Sequence, residues 1–267
     1  DSRTTSPTQS PLLFITSLIY HRGHHPHFKY SCHYRPRILV LLVVTACRKL
    51  ATNARRMTYH LAYFDLRARG EPVRWVLRAL DVSFTEERLD FFTEWKTRKP
   101  EFEWGVVPVL VCEGVQLHQT TTICRYLGEK HQLASKDLLQ AARQQEVVEA
   151  FHDVSVYVAF AFFARMRQDE MQKTVMWDKV KIRIPELLKN LETRITKQGW
   201  ILSSEMTWVD VFVAAYLDTY DNYLPGTLAA APKVKCLLEH VKAIPSIKTW
   251  IEERPDWQKF EEPEGLV

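Results

Sequence analysis

The hydrophobic pattern of this 267-residue chain changes period once, near residue 131, and that change limits the domains it can build. From Thr58 to Lys130, short strand-like apolar runs are interleaved with two stretches of helical spacing. From Leu138 onward the apolar residues recur only at helical spacing, over Leu138–Arg167, Met171–Thr196, Val209–Tyr220, Pro232–Ala243 and Ser246–Glu253. A chain patterned this way forms a mixed α/β unit followed by an all-α unit, joined by the short polar link from His131 to Asp137.

Within the first unit, Thr58 to Phe64 reads as a strand, and a turn from Arg67 to Gly70 leads into an amphipathic helix with Val73, Val76, Leu77 and Leu80 on one face. Ser83 to Leu89 reads as a second strand, followed by an irregular stretch from Asp90 to Trp104. Val106 to Cys112 and Val115 to Leu117 flank a Glu113-Gly114 turn, and a helix runs from about Gln119 to Lys130. The order is βαβ and then ββα. A helical crossover makes the first two strands parallel and a hairpin makes the last two antiparallel, so the sheet is mixed, in the pattern of a thioredoxin-like domain. In the second unit, Thr207-Trp208-Val209-Asp210 has the form of a capping box with Asp in place of Glu, which marks a helix start.

Charge and cysteine usage narrow the function. The first 56 residues hold nine Lys or Arg against a single acid, leaving 27 bases and 31 acids in the remaining 211 residues. The body is therefore mildly acidic, which excludes a phosphate-coated partner such as nucleic acid. The leader over residues 1–56 is rich in Ser, Thr, His, Arg and Pro; it reads as a targeting peptide, or as sequence carried ahead of a natural start at Met57, disordered or absent from the mature protein. His24, His25 and His27 lie in this tail and lack any companion with metal-ligand spacing. Five cysteines in no CxxC pattern fit a reducing, cytoplasmic compartment. The apolar stretch Ile38 to Cys47, broken only by Thr45, is ten residues, about half of what a bilayer-spanning helix needs, so no membrane partner is expected.

A small thioredoxin-like domain followed by a helical one, together with five motifs in order, resembles the cytosolic glutathione transferases, and within them the sigma class. The motifs are Leu61-Ala62-Tyr63-Phe64 running into Arg67-Ala68-Arg69-Gly70-Glu71; Trp95 with Lys99; Gly105-Val106-Val107-Pro108-Val109-Leu110; Leu117-His118-Gln119-Thr120 into Ile123-Cys124-Arg125-Tyr126-Leu127; and Thr207-Trp208-Val209-Asp210. A closing Ile244-Pro245 followed by Trp250-Ile251 is also similar to that family's last helices. The resemblance covers Met57 to about Trp257. It implies a glutathione-binding domain over residues 57–131 and a helical domain over 138–267 that lines a hydrophobic substrate site.

The resemblance also implies roles for individual residues. Tyr63 takes the place of the tyrosine that stabilises the glutathione thiolate, and Arg69 adds charge near the sulfur unless it pairs with a neighbour such as Glu71. The family usually shows Arg-Gly-Arg-Ala-Glu where this chain has Arg67-Ala68-Arg69-Gly70-Glu71; the arginines keep their spacing while the small residues are exchanged. Val107 and a cis Pro108 would present backbone groups to the tripeptide, with Val106 departing from the usual Lys or Gln. Gln119 and Thr120 would receive the γ-glutamyl carboxylate at a helix start, where an ordinary N-cap is the competing role. Trp95 and Lys99 would hold the glycyl carboxylate, and Phe64 would border the tripeptide. Asp153 would reach the glutamyl amino group across a homodimer interface, or else sit as a solvated helix carboxylate. Leu66, His152, Ser155 and Phe160, with Phe64, would line the second-substrate site.

Three functions follow from this resemblance: conjugation of glutathione to small hydrophobic electrophiles, as in detoxification, without a metal; a glutathione-dependent isomerisation of prostaglandin H to prostaglandin D; and a non-catalytic S-crystallin-like structural role. Cys112 and Cys124 lie outside the loop after the first strand, where a cysteine-type relative carries its nucleophile, so redox chemistry at that loop is not expected.

Overall fold

The computed structural model describes residues 59–255, and the leader with its histidines lies outside them. Strand β1 (Tyr59–Phe64) is followed by α1 (Glu71–Ala79), β2 (Phe84–Leu89), a one-turn α2 (Trp95–Arg98) that runs into a 3-10 turn (Lys99–Glu101), β3 (Val109–Cys112), β4 (Val115–His118) and α3 (Thr120–Lys130). The helical half consists of α4 (Leu138–Met166), α5 (Glu170–Glu192), α6 (Trp208–Tyr223), a 3-10 turn (Thr227–Ala230), α7 (Pro232–Lys242) and α8 (Pro245–Glu253). Three expectations change. The stretch after β2 is not wholly irregular, because it holds α2 and its 3-10 turn; β3 starts at Val109 and not Val106, because Pro108 has no N–H to pair; and α5 stops at Glu192, short of Thr196, where Ile195 bridges to Ile201.

The sheet order is β2-β1-β3-β4, with β1 parallel to β2 and antiparallel to β3, and β4 antiparallel to β3. The expected mixed thioredoxin-like sheet is present. Alternation along β1 sends Tyr59 and Leu61 into the main core shared with the helices, while Ala62 enters a smaller cluster with Leu89, Phe102 and Val109 on the other face. Period 2 therefore puts Tyr63 on the helix side of the sheet, and it is 4% exposed.

Helix α6 is the hub of the helical half. Val211, Phe212, Val213, Ala214, Ala215 and Leu217 are all fully buried, so the helix is apolar on every side and needs neighbours on every side. It packs against α1 and α3 of the first unit and against α4 and α7. Gly128 makes the α3 contact close: a Cβ there would lie 2.3 Å from the Trp208 ring. The capping box forms as expected. The Asp210 carboxylate accepts Thr207 N–H at 2.7 Å, Thr207 Oγ1 at 2.9 Å and also Ile201 N–H at 2.7 Å. Helix α4 is long and apolar enough to cross a bilayer by length and composition, but its Val147, Val148, Phe151, Val154, Ala161 and Ala164 are core residues of this bundle.

Helix α1 is buried on more faces than its amphipathic pattern predicts. Glu71, Arg74 and Trp75 are inaccessible alongside Val73, Val76 and Leu77, while Leu80 is only half-buried. These charges are tolerated because they are paired. Glu71 Oε1 accepts Trp75 Nε1 at 2.9 Å, Trp250 Nε1 at 2.9 Å and Arg254 Nη1 at 2.8 Å, and Oε2 accepts Arg74 Nη1 at 3.2 Å. Arg254 Nη2 continues the chain to Asp218 on α6 at 2.8 Å. Burial opposes ionisation of Glu71, but Arg74, Arg254 and the two indoles outweigh it and hold the carboxyl below its ordinary range.

Candidate functional site

The loop between β1 and α1 is held from two sides. From α1, Arg74 donates Nη1 to the Leu66 carbonyl at 2.6 Å and Nη2 to the Phe64 carbonyl at 3.1 Å. From α3, Thr120 Oγ1 donates to the Arg69 carbonyl at 3.0 Å. The loop in turn donates Arg69 N–H to the Tyr63 hydroxyl oxygen at 3.1 Å. An oxygen that accepts from a backbone amide keeps its own proton for another partner. Burial raises the Tyr63 phenol above its ordinary pKa despite the nearby Arg74 and the loop amides, so the group is a neutral donor at physiological pH.

Arg69 makes no ion pair with Glu71. Glu71 is fully engaged by Arg74, Arg254 and two tryptophans, and the Arg69 Nε–H is buried without a partner among the described residues. Gly70 lies against the Tyr63 ring, so a Cβ at that position would be 2.2 Å from ring Cδ1. Ala68 has a φ of 30°, in the left-handed region. The exchange of small residues in this turn thus has structural consequences at both positions.

Beside the phenol lies a cavity of about 320 Å³, lined by Tyr63, Phe64, Leu66, Ala68, Arg69, Phe91, Val107, Val156, Ala159, Phe160, Phe162 and Phe163. A smaller space of about 110 Å³ adjoins it and adds Leu89, Phe92, Asp65 and Asp90. Tyr63 and Arg69 are the polar groups of the larger space and its other lining is apolar, much of it phenylalanine, a composition that suits an apolar ligand. Phe64 meets Phe91 at 5.2 Å and Trp95 at 5.0 Å, both edge to face, and Phe91 meets Phe163 at 5.7 Å.

The remaining candidates fall into groups. Val107 lines the cavity and is joined to Pro108 by a cis bond. Gln119 is the residue before α3, exposed and at φ 71°, and no side chain caps this helix start, so its first amides lack a side-chain acceptor among the described residues. Thr120 is the first residue of α3, and its hydroxyl goes to Arg69 and not to its own backbone. Trp95 is half-buried on Phe64 and Phe102, while Lys99 is exposed, packs its stem over Gly105 and has no ion pair among the described residues. Asp153 is exposed on α4, also without an ion pair among the described residues. Among the described residues no group of three or more His, Cys, Asp or Glu is arranged to hold a metal.

His152 and Ser155 are not among the residues lining either space, unlike Leu66 and Phe160. Ser155 is buried, with its hydroxyl donated to the His152 carbonyl at 2.7 Å. The lining face of α4 lies one turn further along, at Val156, Ala159, Phe160 and Phe163, which follow the i, i+3, i+4, i+7 spacing of a helix face. Phe91, Phe162 and Phe163 were not anticipated. Their signal was the pair of Phe-Phe doublets, at Phe91-Phe92 and Phe162-Phe163, next to polar segments.

Comparison with known proteins agrees with this architecture. The glutathione S-transferase N-terminal domain model matches residues 59–129, and the glutathione S-transferase C-terminal domain model matches residues 152–254. The chain is 32% identical over 198 residues to hematopoietic prostaglandin D synthase of Mus musculus, covering 74% of this chain and 96% of that protein. It is 30% identical over 201 residues to glutathione S-transferase 1 of Ascaris suum, covering 74% and 97%. Among solved structures, prostaglandin synthase D of Nilaparvata lugens superposes with a TM-score of 0.67 at 30% identity, covering 74% of this chain and 99% of the other. A sheet of order β2-β1-β3-β4, a buried tyrosine at the end of β1 and an all-helical second half place this chain in the glutathione S-transferase family.

Proposed function

We propose that the chain binds glutathione between the end of β1 and the start of α3, stabilises its thiolate with a hydrogen bond from the Tyr63 hydroxyl while the thiol proton passes to solvent, and adds the sulfur to hydrophobic electrophiles held by the phenylalanine-lined cavity, with the leaving group departing or the adduct taking up a solvent proton. The observation that carries this reading is the Arg69 N–H on the Tyr63 oxygen at 3.1 Å, which fixes the phenol and leaves its proton free. A free thiol has a pKa of about 8.5, and lowering it by about two units requires about 2.7 kcal/mol. One hydrogen bond to a charged acceptor supplies about 1.5–3 kcal/mol, so a single phenol suffices. Arg69 supports the same charge, and the open helix start at Gln119 and Thr120 suits the γ-glutamyl carboxylate. Lys99 and Trp95 take the glycyl carboxylate, the backbone of Val107 and Pro108 meets the peptide, and Phe64 borders it.

Retention on immobilised glutathione, followed by conjugation of a chlorinated nitroaromatic by wild type and Tyr63→Phe, tests this. The expected loss is about ten- to a hundredfold in rate, equivalent to about 1.4–2.7 kcal/mol. Equal rates for the two proteins overturn the role of Tyr63.

We assign the chain to the sigma class and to the cytoplasm, and propose that it works as a homodimer. Exposed Leu138 and Leu139 at the start of α4, and Asp153, exposed and without an ion pair among the described residues, support the last point, with Asp153 reaching a glutamyl amino group across the interface. A second reading is isomerisation of a prostaglandin endoperoxide. It is supported by the relatives named prostaglandin D synthase and by two apolar spaces that share Phe64, Leu66, Phe91 and Phe162 in their lining. Turnover of prostaglandin H with glutathione present separates it from simple conjugation.

A further inference from the structure

The smaller of the two spaces, of about 110 Å³, differs in chemistry from the larger one. Phe64, Phe91, Phe92 and Phe162 line it together with two acids, Asp65 and Asp90. Phe91 forms a corner in this wall. Phe64 stands at 84° to it with centroids 5.2 Å apart, and Phe92 stands at 89° to it with centroids 5.5 Å apart. A corner of perpendicular rings offers ring faces to a guest from more directions than a stack does, and a ring face is the negative side of its quadrupole. Such a wall attracts a cation that has shed its water.

The acids have the matching sign. Asp90 Oδ1 accepts the Thr93 and Phe92 amides, both at 2.7 Å, and these donors hold the carboxyl below its ordinary range, so it is ionised at neutral pH. Asp65 is met by Arg88 at 3.3 Å, but Arg88 also meets Glu86 at 3.5 Å, so two acids share that cation. The residues lining this space include no Lys, Arg or His. The larger space has the opposite polarity, with Arg69 as its charged residue. Phe64, Leu66, Phe91 and Phe162 belong to both linings.

We propose that the smaller space is a subsite for an organic cation: an ammonium arm of the second substrate seats against Phe91 and Phe92 beside the Asp90 carboxylate, while the electrophilic carbon lies in the larger space near Tyr63. The inference rests on the reading of the larger space as the second-substrate site. Charge then orients the substrate. Arg69 favours the anion at the sulfur end and Asp90 favours the cation at the other, so an electrophile with an ammonium arm is accepted in one direction, and one with a carboxylate in that arm is disfavoured. An alkylated ammonium suits the site best, because its charge is spread over methyl groups that pack on the rings.

The test is calorimetric titration of the full chain with three probes of similar shape: para-hydroxyphenyl-trimethylammonium, its uncharged isostere para-tert-butylphenol, and the anion para-hydroxybenzenesulfonate. Wild type is expected to bind the ammonium about threefold or more tightly than the isostere, and the sulfonate more weakly than either. Asp90→Asn keeps an oxygen for the two amides and removes the charge, and Phe92→Leu removes a ring. Each is expected to weaken ammonium binding by about three- to tenfold, with the isostere changed by about twofold or less in Asp90→Asn. Conjugation of chlorinated nitroaromatics bearing a trimethylammonium or a tert-butyl arm, each divided by its rate without enzyme, is expected to follow the same preference in kcat/KM. Equal binding of ammonium and isostere by wild type, or an ammonium affinity unmoved by Asp90→Asn, overturns this inference and leaves the role of Tyr63 untouched. Failure of wild type to conjugate either electrophile overturns the proposed function and the substrate arm with it, and because calorimetry needs no turnover the two failures are read separately.

Discussion

Replacing Gly70 by alanine tests how the turn sets the phenol. The added Cβ would sit 2.2 Å from ring Cδ1 of Tyr63, 2.6 Å from Cγ and 2.7 Å from Cε1. Carbon atoms in contact sit about 3.5–4.0 Å apart, so the ring or the loop must yield by about 1 Å or more. The ring has little freedom to yield. It is 4% exposed, has the Arg74 guanidinium 5.5 Å from its centroid and receives the Arg69 amide at 3.1 Å. Any accommodation therefore moves the phenol itself. Overpacking of this kind costs about 1–3 kcal/mol, which for a domain of this size lowers Tm by about 2–12 °C. A displacement of about 1 Å at a reacting group costs about a hundredfold in rate, equivalent to about 2.7 kcal/mol. Gly70→Ala is thus expected to remain folded at 25 °C and to lose about a hundredfold in kcat/KM for conjugation of a chlorinated nitroaromatic. Calorimetry and steady-state kinetics on the same preparation separate the two effects. Wild-type kcat/KM, or a loss wholly accounted for by the unfolded fraction, would refute the claim that this glycine sets the phenol position.

Ala68→Gly relieves a left-handed backbone position and is expected to raise stability by about 0.5–1 kcal/mol in chemical denaturation; introduced with Gly70→Ala, it should recover part of the lost rate by letting the loop withdraw residue 70. Arg254→Ala leaves the inaccessible Glu71 carboxylate short of a cation and is expected to cost about 3–5 kcal/mol, read as a shift in urea midpoint; a change under about 1 kcal/mol would show that Arg74 and the indoles suffice. Burial lifts Asp210 from 3.8 to about 6 even though backbone and hydroxyl donors face it. A raised carboxyl pKa favours the folded state while protonated, so this contribution is complete below about pH 3.8 and is lost as pH rises through about 6, by about 3 kcal/mol. Thermal unfolding at pH 5 and pH 7 should accordingly show a smaller relative loss for Asp210→Asn than for wild type, and parallel slopes would exclude the shift.

Much of the fold was legible because periodicity and capping are local. The helix pattern over Leu138–Arg167 matched α4 to within a residue, and Thr207 with Asp210 marked the start of α6, since these signals need only neighbours three or four residues away. The short α2 was missed because a one-turn helix offers no period to read. The site was legible at residue level and not in its geometry. Tyr63 could be singled out from the strand end and its following motif, whereas whether Arg69 would pair with Glu71 could not be read from two residues of separation.

Sequence by itself determined the order of elements, the mixed sheet and the helical second half, because each follows from residue types a few positions apart. Tertiary structure alone decided the rest. Glu71 is taken by Trp250 and Arg254, 179 and 183 residues along the chain, and that distant capture leaves Arg69 free beside the phenol. In the same way, a helical period identifies the faces of α4 but not which turn meets the cavity, so the lining came out at Val156, Ala159, Phe160 and Phe163, with His152 and Ser155 one turn away. The partners of a buried charge and the turn of a helix that lines a space depend on what packs against them, and no local pattern encodes that.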